Sequence, residues 1–112
     1  MRFQIRTLVL NGGRCPFDEW LSVLDGSVQV RIDARIARFE EGNFGDHKSV
    51  GSGVIEARFF FGSAYRVYFS IQETEIVLLL IGGDKSSQLE DINKAKKFLN
   101  MYLEVQSANK KS

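Results

Sequence analysis

Between Val54 and Ile81 the chain reads VIEARFFFGSAYRVYFSIQETEIVLLLI, three runs of strand-forming residues separated by connections too short to hold a helix. Gly62, Ser63 and Ala64 turn the run 54–61 back as 65–71, and a few polar residues turn that run into 76–81. Connections of this length join antiparallel neighbours, so the segment folds as a meander. The third run is apolar at consecutive positions, which predicts burial on both faces and a place inside the sheet.

The flanking sequence supplies one more strand and three helices. Phe3, Ile5 and Val9 alternate with Gln4, Arg6 and Leu8, a strand that ends at the turn signal Asn11-Gly12-Gly13. Pro16 suits a first helical residue, and Phe17, Trp20, Leu21 and Leu24 follow at helical spacing until Gly26 stops the helix. Ser27 is placed to cap a second helix, in which Val28, Ile32, Ile36 and Phe39 form an apolar stripe and Arg31, Arg35 and Arg38 a basic one, up to Gly42. The glycine-rich segment 41–53 reads as a loop. Ser87 and Glu90 have capping-box spacing ahead of a last helix whose core face is Leu89, Ile92, Ala95 and Leu99. The order strand, two helices, three strands, helix (β-α-α-β-β-β-α) predicts an α+β fold, a largely antiparallel sheet covered by helices on one side. It forms a single domain, 1–112, with 106–112 expected to fray.

Composition excludes several function classes. Fifteen basic against 14 acidic residues leave a net charge of +1, so binding to a polyanion must rest on local clustering. One cysteine, Cys15, and one histidine, His47, cannot assemble an internal disulfide or a Cys/His zinc site, so no metal or other cofactor is expected. The longest apolar run, 76–81, is too short to span a bilayer, and charge interrupts the N-terminal apolar stretch, which predicts a cytoplasmic protein with no membrane association. Lys85-Ser86 resembles the end of a P-loop, but Asp84 stands where glycine is required.

The charges inside the meander carry the functional signal. Period two puts Glu56 and Arg58 on one face of their strand, and Arg66 and Tyr68 share a face of the next. On an uncovered face Arg58 and Arg66 would emerge together, close enough for both guanidinium groups to reach one phosphate, with Glu56 positioned to hold one of them. Lys48 enters this strand pair, and Lys85 precedes a helix N-terminus, where backbone N–H groups favour anions. The simpler reading of each charge is a solvated surface residue or a weak surface ion pair, Arg58 with Glu56 or Asp46. For the Arg31, Arg35 and Arg38 stripe the simpler reading is a solvated helix face, and for His47 an inert loop residue.

Read together, FDEWL, the arginine-rich second helix, GNFGDHKSVGSGVIEAR, YRVYF and LLLIGGDKSSQLEDINKA resemble the RelE/ParE superfamily of type II toxin–antitoxin toxins, in particular the HigB-like, phage-associated "addiction module killer protein" branch. The resemblance runs from about Pro16 to the end of the last helix. It implies a toxin that cleaves mRNA in the ribosomal A site without a metal, by attack of a 2′-hydroxyl on the adjacent phosphate. Lys48, Arg58, Arg66 and Lys85 match the catalytic cations; His47, Glu56, Tyr68, Gln88, Arg31 and Arg35 are the residues expected to contact RNA. The implied partners are the ribosome, its mRNA and a cognate helix-turn-helix antitoxin of the HigA type. Two alternatives stay open: a non-enzymatic inhibitor of DNA gyrase, as in the ParE branch, and a degenerate protein-binding module.

Overall fold

A computed structural model describes residues 2–111. Strand β1 (Gln4–Thr7) is followed by helices α1 (Pro16–Ser22) and α2 (Gly26–Phe39). Then come β2 (His47–Gly51), β3 (Val54–Arg58), β4 (Arg66–Gln72) and β5 (Ile76–Gly83), a 3-10 turn over Lys85–Ser87, and α3 (Gln88–Lys111). The fold is α+β, with one five-stranded sheet in the order β1-β5-β4-β3-β2. Only the β1–β5 pair is parallel; the other three pairs are antiparallel.

The meander forms as its short connections require, and β5 lies inside the sheet between β1 and β4. The segment 41–53, expected to be loop, instead contains β2. This strand pairs with β3 through Lys48↔Glu56 and Ser49↔Ile55, and turns into it through Gly51, Ser52 and Gly53, all at positive φ. Its side chains are mostly exposed, so it carries no apolar alternation. Backbone pairing at the sheet edge holds it. Gly26 opens α2 rather than closing α1, and the residue before it, not Ser27, is the N-cap position. At the other end α3 runs to Lys111, well past the last apolar positions of its core face, and Ser112 of the expected tail lies outside the described residues.

Both faces of the sheet are covered, not one. Helices α1 and α2 pack Phe17, Ile32, Ile36 and Phe39 onto Ala57, Phe59, Val67, Phe69, Val77 and Leu79. Helix α3 packs Ala95 and Leu99 onto the opposite face, against Val54, Tyr68, Leu78 and Leu80. The cause is β5, whose successive residues are apolar in both directions and require a helix on each side. Two adjacent glycines at its end admit those helices closely. A Cβ on Gly82 would strike the ring of Trp20 from α1, and one on Gly83 would strike the Asp91 carboxylate of α3.

Candidate functional site

The face of the sheet that α3 only partly covers carries two cross-strand rows. One aligns Lys48, Glu56, Tyr68 and Ile81; the next aligns Arg58, Arg66 and Gly83. Arg58 and Arg66 are therefore directly opposite each other, on the same face as Lys48, as the alternation predicts. Two guanidinium groups in this relation repel. Each has its own carboxylate: Arg58 Nε lies 3.2 Å from Asp46 Oδ2, and Arg66 Nε lies 3.7 Å from Glu56 Oε2.

The two pairs differ in depth. Arg58 keeps 37% of its side chain exposed, whereas Arg66 keeps 9% and Glu56 none. Glu56 Oε2 also accepts hydrogen bonds from the Tyr68 hydroxyl (3.0 Å) and from Gln88 Nε2 at the start of α3 (2.9 Å). A buried carboxylate needs such donors, since desolvation of the ion exceeds what one partner returns. Arg66 Nη1 donates in addition to Ala64 O, 3.2 Å away. Glu56 thus holds Arg66, as expected, but from beneath the surface. Neither Glu56 nor Tyr68 presents atoms to a bound RNA, so both are supporting residues rather than contacts. Burial, and then the neighbouring Glu56 charge, push the Tyr68 hydroxyl far above its ordinary range. It stays neutral and donates.

Lys48 and Lys85 are exposed, and among the described residues neither forms an ion pair. Lys85 is tied to the β3–β4 connection, because its backbone N–H donates to Ser63 O at 3.4 Å. That contact brings the turn before α3 beside the end of the Arg58–Arg66 row. The cap of this turn is Asp84, not Ser87: its Oδ1 accepts from Ser86 N at 2.9 Å, and Asp84 N–H donates in return to Ser87 Oγ at 3.4 Å. Ser86 Oγ also donates to Asp84 Oδ1, at 2.6 Å, and this bond, helped by those from the backbone N–H groups of the turn, holds the Asp84 carboxyl below its usual range. Ser87 Oγ donates to Asp91 Oδ2, while burial pushes the Asp91 carboxyl up. The sequence offers Asp46 as a surface partner of Arg58, which it is, and Asp84 only as a break in the P-loop pattern, and it gives no signal for Asp91. Asp46 sits in a loop, and Asp91 on a helix face whose burial depends on where α3 docks.

Three expected RNA contacts lie on the other side of the sheet. His47 pairs in register with Ala57, a residue of the α1–α2 core, and its ring meets Phe44 edge-on at 5.5 Å. Its Nδ1 is 2.8 Å from Gly45 O, so that nitrogen carries the proton, a carbonyl being only an acceptor. The Arg31 guanidinium stacks 4.1 Å from the ring centre of Phe61, and that of Arg35 4.9 Å from Phe59. Arg31 and Arg35 shield aromatic rings in cation–π contacts and do not join Lys48, Arg58, Arg66 and Lys85.

A family model described as "Phage derived protein Gp49-like (DUF891)" matches residues 19–100. The chain belongs to this Gp49-like family. The family lies in the RelE/toxin-like group and is associated with toxin-like phage proteins. The matched span runs from within α1 to the middle of α3 and includes every residue of the two rows. A chain from Haemophilus influenzae, described as "Uncharacterized protein", is 46% identical over 97 residues, 86% of this chain and 92% of its own length. No solved structure matches the chain. No helix among the described residues is long and apolar enough to cross a membrane, and no three His, Cys, Asp or Glu side chains are grouped to hold a metal.

Proposed function

We propose that this protein is the toxin of a type II toxin–antitoxin pair, of the HigB-like branch, and that it cleaves mRNA on the ribosome. The observation that carries the reading is the Arg58–Arg66 juxtaposition, with Lys48 one register step away on the same face and Lys85 brought in through Ser63. A 2′-hydroxyl that gives up its proton attacks the adjacent phosphorus, forms a five-membered cyclic phosphate and expels the 5′-oxygen of the next nucleotide, which takes up a proton as its bond to phosphorus breaks. The pentacoordinate state carries two negative charges on non-bridging oxygens. Cations held in place before the reaction stabilise that state without the reorganisation that water requires. Lys48, Lys85 and the partly exposed Arg58 are the groups able to meet the phosphate directly. Arg66, clamped by Glu56 and Ala64 O, is the fixed cation at the base of the site.

The partner is a helix-turn-helix antitoxin, and the site of action is the cytoplasm. The test is a brief pulse of expression without antitoxin, followed by mapping of cellular mRNA 5′ ends, for wild type and Arg58→Ala. New 5′ ends inside reading frames with wild type, and none with Arg58→Ala, are expected. Growth arrest with intact messages and blocked DNA supercoiling would refute the nuclease reading and favour a gyrase inhibitor. Normal growth at high soluble expression would point to a degenerate module.

A further inference from the structure

Three consecutive phenylalanines leave the end of β3. The backbone ladder extends past Arg58, because Phe59 N donates to Tyr65 O at 2.8 Å. Phe59 and Phe61 stack on each other, 6.0 Å between ring centres and 14° between planes, under the guanidinium groups of Arg35 and Arg31. Rings two residues apart stack in this way only if the chain between them is extended, which directs Phe60 to the opposite side. That side is the one shared by Arg58 and Arg66. Phe60 is 75% exposed, while Phe59 is 1% exposed.

Folding does not account for a phenyl group there. The core takes the rings on either side of Phe60, and nothing packs over it. Along the chain Arg58 precedes it on that face and Gly62 and Ser63 follow it, so the strand on either side adds no apolar neighbour there. An extended chain separates Arg58 from Phe60 by about 7 Å, on the scale of the reach from a nucleotide's phosphate to its base. A cation and an exposed aromatic face at that spacing match the two recognisable parts of an unpaired nucleotide.

We propose that Phe60 is a stacking platform for one base of single-stranded RNA, engaged when Arg58 holds a phosphate of the same strand. The inference rests on the nuclease reading above and adds what the site selects: an unstacked base, accepted with little regard to its identity, because every base offers a π face. Phe60 acts on substrate binding, not on the bond that breaks.

The experiment is single-turnover cleavage on ribosomes programmed with a defined message, at varied toxin concentration. It compares wild type, Phe60→Ala, Phe60→Leu, Phe60→Trp and Arg58→Ala, with thermal melts of each. Phe60→Ala is expected to raise the half-saturating concentration by about tenfold to a hundredfold, with the saturated rate little changed. Tryptophan retains wild-type behaviour, and leucine, equally apolar but without a π face, behaves as alanine. A message with an abasic nucleotide at one position flanking the cut erases the difference between wild type and Phe60→Ala, as expected of two groups that act as a pair. Phe60→Ala or Phe60→Leu equal to wild type, with Arg58→Ala impaired, overturns the stacking proposal and leaves the phosphate site intact. Phe60→Ala that cleaves normally but escapes neutralisation by its antitoxin overturns it in favour of a protein contact. A wild type that does not cleave overturns the nuclease reading, and this inference with it.

Discussion

Truncating Arg58 and truncating Arg66 look equivalent in the sequence, where both alternate with apolar residues and each is expected to cost no more than about 0.5 kcal/mol on an exposed face. The structure separates them. Arg58→Ala removes a partly exposed ion pair with Asp46, of a kind worth about 0–1 kcal/mol. Arg66→Ala leaves the wholly buried Glu56 carboxylate without its cation, a change that costs about 3–5 kcal/mol at buried pairs. The Tyr68 hydroxyl and the Gln88 amide still donate to that carboxylate, so the lower end, about 3 kcal/mol, is expected. In a domain of this size about 1 kcal/mol corresponds to roughly 4 °C in Tm. Arg66→Ala should therefore melt about 12 °C below wild type, and Arg58→Ala within about 4 °C of it. Urea denaturation at an unchanged m-value checks the same difference through the midpoint. Adding Glu56→Gln to Arg66→Ala should recover part of the loss, because no buried charge then lacks a partner. An Arg66→Ala variant as stable as Arg58→Ala, or a double variant less stable than Arg66→Ala alone, would refute the buried-pair account. Both single variants should still lose on the order of a hundredfold in cleavage rate, as when one preorganised donor is removed.

Asp84→Ala should cost about 1 kcal/mol at neutral pH through loss of the N-cap, read by thermal melts. Hydrogen bonding lowers the Asp84 carboxyl in the fold, so its stabilisation is present above the ordinary aspartate range and disappears as pH falls through the lowered value; wild type and variant should converge in acid. Gly82→Ala should destabilise by about 1–3 kcal/mol, since a methyl group there overlaps the Trp20 ring, and urea midpoints will show it. Arg31→Ala and Arg35→Ala should leave ribosomal cleavage within about twofold of wild type while exposing Phe61 and Phe59, because both arginines lie across the sheet from the cation rows. A large loss of cleavage in folded variants would place α2 in the RNA-binding surface after all.

Local periodicity carries much of this protein in its sequence. Pro16 marks the start of α1, the meander follows from its turns, and period two alone puts Arg58 and Arg66 on one face, with Glu56 within reach. Period two assigns residues to faces but does not say what covers a face. That was decided by α3, which docks opposite α1 and α2. Its first residue, Gln88, closes over Glu56 and turns an expected surface residue into a buried one. Strand β2 was illegible for a related reason: an edge strand held by backbone hydrogen bonds needs no apolar pattern in its side chains. The pair Gly82-Gly83 lies outside the apolar run 76–81 in sequence. In the fold it is the end of β5, and its missing side chains are what allow Trp20 from one helix layer and Asp91 from the other to close on the same stretch of strand, a contact between residues far apart in the chain.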